Sequence, residues 1–211
     1  MKDIKKKKQQ KTIQFPTRGF TRGNGYLESY LARLRANKAN RLIPDHLRQG
    51  RILDIGCGTY PYFLSHAFFK EKFAIENSPK PRGLTGINWF SLNLNQSPLL
   101  PFESNYFSTI TLLAVIEHLD PVRLVKMLGE CYRILSPGGV LILTTPSAWS
   151  DGILRWMAKV SLVSQEEINE HVFAYTLPLI GWYFGKAGFS MTKLKFGYFE
   201  VMLNMWAIAQ K

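Results

Sequence analysis

The sequence has 211 residues, of which 46% are hydrophobic and 20% charged, and its formal net charge is +12. This length and apolar content suffice for one hydrophobic core and favour a single globular domain. The first eleven residues contain six lysines and one aspartate, which gives them +5 and leaves +7 for the remaining 200. Such a basic run attracts phosphates or anionic lipid headgroups without specificity, and it is equally common in solvated tails. We therefore predict a flexible basic tail over residues 1–25 and one folded domain over residues 26–211.

The same composition argues against several classes of protein. The basic run leads into Gln9, Gln10 and Lys11 rather than into an apolar segment, which argues against a secretory signal peptide. No uninterrupted apolar stretch approaches the roughly 20 residues that a membrane-spanning helix needs. The two cysteines, Cys57 and Cys131, provide neither a disulfide framework nor a Cys/His metal cluster. We therefore predict no metal site, and a reducing cytoplasm fits best.

Hydrophobic periodicity alternates between helices and short strands along the chain. The predicted helices cover residues 26–41, 62–70, 121–135 and 177–187, and the predicted strands cover residues 51–56, 72–76, 87–93, 107–115, 140–144, 189–199 and 204–209. Asp120 is placed to cap the third helix, with Pro121 at its first position, and Gly188 is placed to end the fourth. Prolines and a glycine in residues 77–83 leave little room for a crossover helix between the second and third strands.

This order of elements indicates an α/β fold: a three-layer α/β/α sandwich around a mainly parallel, seven-stranded sheet with an antiparallel edge hairpin. Residues 147–176 form a longer connection, in which apolar residues are interspersed with Arg155 and Lys159. Long connections at the ligand side of such sheets often control substrate choice, so we predict a helical lid here. It would cover an apolar acceptor or rest on a membrane surface, although its apolar face also suits an ordinary core.

Two features at the ends of neighbouring strands predict a nucleoside site. The first predicted strand runs into residues 54–58, Asp-Ile-Gly-Cys-Gly, which bring an acid and two positions without side chains to a tight turn. A ligand can approach the backbone closely there. Glu76 ends the next strand about 20 residues beyond the turn, where folds of this type place a carboxylate that accepts the hydroxyls of a ribose.

These motifs resemble those of the class I methyltransferases, which use S-adenosylmethionine. In that family the first motif runs from a strand into Asp-x-Gly-x-Gly, as residues 53–58 do. Further segments are similar to the family's third-strand motif (93–95 with 100–102), its fourth-strand motif (112–119) and the approach to its fifth strand (133–139). The resemblance covers residues 45–211. It implies a Rossmann-like methyltransferase with S-adenosylmethionine as cofactor and S-adenosylhomocysteine as product.

The resemblance also implies roles for individual residues. Asp54, Gly56 and Gly58 would hold the methionine moiety, Glu76 the ribose, and Asn93, Leu94 and Ala114 the adenine. Cys57, Asn77 and Leu113 are further predicted cofactor-binding residues. Three positions depart from the family pattern: Tyr60 replaces a third glycine, Asn93 an aspartate and Ala114 a frequent acid. Asn93 would still meet adenine through its amide oxygen. Tyr60 argues against a nicotinamide dehydrogenase, because the dinucleotide motif needs a glycine there.

The sulfonium of this cofactor is already a good methyl donor, so catalysis gains most from positioning the acceptor atom. If that atom belongs to a hydroxyl, its proton must be removed, and His118 and His171 are the candidate general bases. Either histidine can instead brace a loop.

We favour a small-molecule, glycan or lipid-linked acceptor, because the sequence contains no separate nucleic-acid recognition module. The lysine run and the positive body motivate a nucleic-acid methyltransferase as an alternative. The unusual Tyr60, Asn93 and Ala114 motivate a second alternative, a scaffold protein that keeps the fold without catalysis. No motif indicates an oligomeric state.

Overall fold

A computed structural model of the protein describes residues 27–96, 99–163 and 173–211. The strands of this part of the chain are β1 (Arg51–Ile55), β2 (Glu71–Glu76), β3 (Asn88–Ser91), β4 (Phe107–Leu113), β5 (Leu135–Pro146), β6 (Leu194–Phe199) and β7 (Asn204–Gln210). Its α-helices are α1 (Glu28–Leu42), α2 (Tyr62–His66), α3 (Pro121–Ile134), α4 (Asp151–Lys159) and α5 (Leu177–Lys186).

All seven strands form one sheet in the order β3-β2-β1-β4-β5-β7-β6. Strands β1 to β5 pair in parallel, whereas β7 runs antiparallel to both β5 and β6. The parallel strands therefore all end at one edge of the sheet, which we call the carboxyl edge and which carries Ile55, Glu76, Leu113 and Pro146. The strand order reverses between β1 and β4, and ligands of open α/β sheets bind at such a switch point.

Two hydrophobic clusters cover the two faces of the sheet. Leu53 on β1 belongs to the cluster beneath α3 and α5, together with Cys131 and Phe184. The adjacent Ile52 belongs to the cluster beneath α1 and α2, together with Leu64. Neighbouring strand residues point to opposite faces, so β1 supplies both cores. The predicted three-layer sandwich, its seven-stranded sheet and its antiparallel edge pair are confirmed.

Several local predictions also hold. The Asp120 carboxylate accepts hydrogen bonds from the backbone N–H groups of Val122 (2.9 Å) and Arg123 (3.4 Å) and so caps α3. Gly188 follows α5 with a φ of +102°, a conformation that suits glycine. The connection between β2 and β3 contains no helix, as its prolines predicted.

The predicted bounds were wrong at helix α2 and at strand β5. Helix α2 ends at His66 instead of residue 70, because Ala67 adopts an extended backbone and the Lys70 N–H bonds to the Arg48 carbonyl (3.2 Å). The extended segment buries Ala67 and Phe69 in the second cluster, which offsets the lost helical turn. Helix α3 ends at Ile134, one residue before its predicted end, whereas β5 extends over Leu135–Pro146 instead of residues 140–144 and includes the Pro-Gly-Gly segment.

Two strands also differ from their predicted bounds. Strand β3 ends at Ser91, so Asn93 lies in the following turn. Strand β6 begins at Leu194 instead of residue 189, because the Phe189 ring packs edge-on against Tyr132 and Phe184 in the core.

The connection at residues 147–176 is described in part. It begins with a short 3-10 helix at Ala148–Ser150 and continues into α4. Residues 164–172 and the basic tail at residues 1–25 lie outside the described residues, so the lid and the tail stay predictions. No helix within the described ranges is long and apolar enough to cross a membrane.

Candidate active site

A glycine turn connects β1 to α2 at the carboxyl edge. Gly56 and Gly58 have φ angles of +72° and +76°, which other residues rarely adopt. A Cβ atom added to Gly56 would lie 2.6 Å from Cγ2 of Val115, closer than any normal contact. The Gly56 N–H also donates to the Ile75 carbonyl (2.8 Å), which fixes the turn against β2. Both backbone conformation and close packing therefore require glycine at position 56.

Glu76 ties the end of β2 to this turn. Its side chain is only 4% exposed. One carboxylate oxygen accepts the Gly58 N–H (2.9 Å), and the other accepts the Asn77 N–H (2.9 Å). These two backbone donors compensate for the burial of the charge. A carboxylate offers about four acceptor positions, so it can accept a pair of ligand hydroxyls in addition to the two N–H groups.

Asp54 is the second buried carboxylate of the site, at 3% exposure. The Thr111 hydroxyl on β4 donates to it at 2.6 Å. Burial raises the pKa of Asp54 to about 7, and the negative charge of Glu76 acts in the same direction, while the Thr111 bond opposes the shift. No lysine or arginine of the described residues forms a salt bridge with Asp54. A cationic ligand group beside this carboxylate would therefore be stabilised.

The residues expected to bracket adenine lie along the same edge. The Leu92 N–H donates to the Glu76 carbonyl (3.0 Å), which places the turn after β3 beside Glu76. Within this turn the Asn93 amide oxygen accepts the Asn95 N–H (2.9 Å), and this hydrogen bond stabilises the turn itself. Leu94 packs against the first core cluster.

On the other side of β1, the end of β4 supplies Leu113 and Ala114, which are also predicted cofactor-binding residues. Leu113 packs against the second cluster. Ala114 has a φ of +56°, and its N–H donates to the Thr144 carbonyl (2.9 Å). A small side chain suits this left-handed backbone conformation.

A short 3-10 helix at Ile116–His118 follows β4 and carries the candidate base. His118 is half-buried there. Its neighbour Glu117 is 2% exposed and accepts the Thr145 hydroxyl at 3.0 Å. The buried Tyr175 hydroxyl donates to the Ile116 carbonyl (3.1 Å) and anchors this helix.

Two polar groups of this edge, Thr111 and Glu117, were not among the site residues predicted from the sequence. The signal for Glu117 was available, since it is an acid beside His118 within the fourth-strand motif. His171, the other candidate base, lies outside the described residues.

The chain belongs to a methyltransferase family: residues 26–194 match the family described as methyltransferase domain. No curated protein matches the sequence. Among solved structures, a methyltransferase from Archaeoglobus fulgidus is similar, with a TM-score of 0.63 and 18% identity over 85% of this chain and 94% of that chain. A second, from Thermotoga maritima, has a TM-score of 0.64 and 20% identity over 88% and 92% of the two chains. A third, from Mesorhizobium loti, has a TM-score of 0.60 and 15% identity over 84% and 98%.

At these identities the structural likenesses show the fold, and the family match shows the activity class. The chain is a methyltransferase of the class I, Rossmann-like type, and its cofactor is S-adenosylmethionine. Both statements confirm what the motifs implied. The residues of the carboxyl edge fit this cofactor, because they offer a glycine cradle beside one carboxylate suited to hydroxyls and another suited to a cation.

Proposed function

We propose that this methyltransferase transfers the methyl group of S-adenosylmethionine, in line, to a small-molecule, glycan or lipid-linked acceptor. The observation that supports the site most strongly is the Glu76 carboxylate, buried and bonded to the glycine turn through the Gly58 N–H. This arrangement joins the ribose-binding acid to the backbone cradle before any ligand arrives. When bound, the cofactor supplies a methyl group on a positively charged sulfur, which leaves readily as a neutral thioether.

Each predicted site residue receives a role in this proposal. Glu76 and Asn77 bind the ribose, whereas Asp54 and the turn of Gly56, Cys57 and Gly58 hold the methionine moiety. The adenine lies among Asn93, Leu94, Leu113 and Ala114. The proximity of the β3 turn to Glu76 and the close packing of Gly56 support these roles.

The chain's own contribution to catalysis is positioning, together with removal of a proton where the acceptor is a hydroxyl. We assign the removal of this proton to His118. This residue is half-buried at the carboxyl edge, within a 3-10 helix that Tyr175 anchors. His171 remains the second proposed base.

The acceptor class is supported by the single-sheet architecture, since the described ranges add no separate element for nucleic-acid recognition. The alternative, a nucleic-acid acceptor, is supported by the net charge of +12. A cytoplasmic location is part of the proposal, and it is supported by two cysteines that form no disulfide.

Label transfer from methyl-tritiated cofactor tests the acceptor class directly. Cell extract is separated into water-soluble small molecules, organic-phase lipids and nucleic acid, and each fraction is incubated with the purified full chain. We expect label in the small-molecule or lipid fraction. Label confined to nucleic acid, with transfer that falls steeply as salt is added, would overturn this acceptor assignment.

Substitution of His118 tests the proposed base. With a hydroxyl acceptor, His118→Asn should lower kcat about 100-fold or more and change the dependence of the rate on pH, because the proton acceptor is lost. His46→Asn is the matched control, since His46 is exposed just before β1, at the opposite edge of the sheet. An unchanged pH profile in His118→Asn would contradict the role of this base.

A further inference from the structure

The α4 segment, residues 148–163, consists of the 3-10 helix Ala148–Ser150, α4 and the turn after it, and it carries a stripe of exposed apolar side chains. Trp149, Ile153, Trp156 and Val160 are 55%, 43%, 60% and 48% exposed. Ile153, Trp156 and Val160 are three and four residues apart, which places them on one face of α4 and the turn after it, and Trp149 lies in the 3-10 helix four residues before Ile153. A single exposed apolar residue needs no explanation, but a continuous row with two tryptophans marks an interaction surface.

The opposite side of this segment is fixed to the domain. Met157 is half-buried and packs against Val163, as does Leu31 of α1. The backbone N–H of Leu27, at the start of α1, donates to the Leu162 carbonyl at 2.9 Å. Because the inward side is held in this way, the stripe faces outward.

The turn between β6 and β7 extends the stripe. Val201 and Met202 are 91% and 51% exposed. The Ser147 hydroxyl donates to the Met202 carbonyl (3.1 Å), which places this turn beside the start of the α4 segment. Val201 has a φ of +53°, an unfavourable conformation for a β-branched residue, and its side chain is presented outward at that cost. We call the four stripe residues together with Val201 and Met202 the apolar patch.

Positive charge borders this patch. Arg155 and Lys159 are exposed on α4, each one position before a residue of the stripe. Residues 1–26 join the described chain at Leu27, which is bonded to the end of the α4 segment, and they contain eight basic residues and one acidic residue, a net +7. An apolar surface with tryptophan and adjoining basic residues is the combination that binds bilayers containing anionic lipid.

We propose that the apolar patch docks on a bilayer surface that contains anionic lipid headgroups, with Trp149 and Trp156 at the level of the headgroups. The patch begins where β5 reaches the carboxyl edge, so docking brings this edge to the membrane. An acceptor carried by a lipid would then reach the site from the bilayer, a consequence that rests on the proposed function. The docking itself does not depend on methyl transfer.

Vesicle sedimentation with the full chain tests the proposal. We expect the protein to sediment with vesicles of phosphatidylcholine and phosphatidylglycerol, to bind pure phosphatidylcholine more weakly, and to shift its tryptophan emission to the blue on binding. Combining Ile153→Gln with Trp156→Gln should weaken binding about tenfold or more, because it removes half of the stripe. Both side chains are exposed, so the fold should persist, and unchanged affinity for S-adenosylhomocysteine would verify this.

Trp182→Gln is the matched control, because Trp182 is 52% exposed on α5, which packs against α3, and it lies outside the patch. Vesicle binding of this variant should equal that of the wild type. Absence of binding to anionic vesicles, or equal losses in the control and the patch variant, would overturn the proposal. So would a wild-type dimer that the patch substitutions convert to a monomer, since a second copy would then be the occupant. A wild type that binds the vesicles but does not bind S-adenosylhomocysteine would instead count against the proposed function.

Discussion

The two halves of the carboxyl edge differ in how completely the chain satisfies the carboxylates that it buries. At β1 and β2, Glu76 and Asp54 are buried, and each accepts well-placed hydrogen bonds. At β7, Oε1 of Glu200 and Oδ1 of Asn204 are buried without a hydrogen-bond partner. The turn between β6 and β7 has three successive residues with positive φ, and the surface beside it is apolar and exposed.

This difference separates two tasks. A site that binds the same cofactor in every cycle benefits from groups held in place before the ligand arrives. The half at β1 and β2 meets that requirement. We interpret the half at β5 and β7, which carries the exposed apolar patch, as the side that meets the acceptor and the membrane. The following substitutions test this separation.

Gly56→Ala should have the largest effect on folding. The left-handed backbone and the contact with Val115 together should lower the free energy of unfolding by about 2 to 5 kcal/mol, measured by urea denaturation. Gly129→Ala is the control, because Gly129 lies within α3 with open space around its Cβ position. It should raise stability by about 0.5 to 1 kcal/mol. A Gly56→Ala variant as stable as the wild type would show that the cradle is not tightly built.

Asp54→Asn should change how stability depends on pH. The folded-state pKa of Asp54 is raised to about 7, so its contribution to stability is present at low pH and is lost as pH rises through 7. The asparagine variant lacks this loss. The free energy of unfolding of the variant minus that of the wild type should therefore be about 3 kcal/mol larger near pH 8 than near pH 5. Urea denaturation of both proteins at the two pH values measures this difference.

Asp45→Asn provides the comparison, because the Asp45 side chain is 98% exposed. It should show no such difference between the two pH values. If Asp54→Asn and Asp45→Asn behave alike, the carboxylate of Asp54 is not buried as described.

Glu200→Gln should have the smallest effect. Burial raises the pKa of Glu200, although Arg35 and the Asn204 amide oppose the shift. A glutamine keeps the acceptor for this amide and adds a donor for the buried Asn204 oxygen. The free energy of unfolding should change by less than about 1 kcal/mol, and the variant should gain relative to the wild type as pH rises. A loss of several kcal/mol would mean that this half is as tightly built as the other.

The sequence predicted those parts of the site that local pattern determines. The glycines of the turn and the position of Glu76 follow from the strand patterns and from about 20 residues of spacing. Thr111 could not be predicted, because it lies 57 residues from Asp54 and meets it only when β1 and β4 pair.

Two differences between the prediction and the structure concern the end of α2 and the turn at Asn93. The early end of α2 depends on the contact between Lys70 and Arg48, which no helix pattern shows. For Asn93 a signal was present, since asparagine commonly bonds to the backbone two residues on, as it does here with Asn95.

The central claim, that Glu76 and the glycine turn form the cofactor site, is tested most directly by calorimetric titration with S-adenosylhomocysteine. The wild type should bind, and Glu76→Ala should lose about 1.5 to 3 kcal/mol of binding free energy, because the hydrogen bonds of a charged acceptor are removed. Glu103→Ala, which alters an exposed carboxylate away from the turn, should bind like the wild type. A folded wild type that does not bind, or a Glu76→Ala variant with unchanged affinity, would contradict this account.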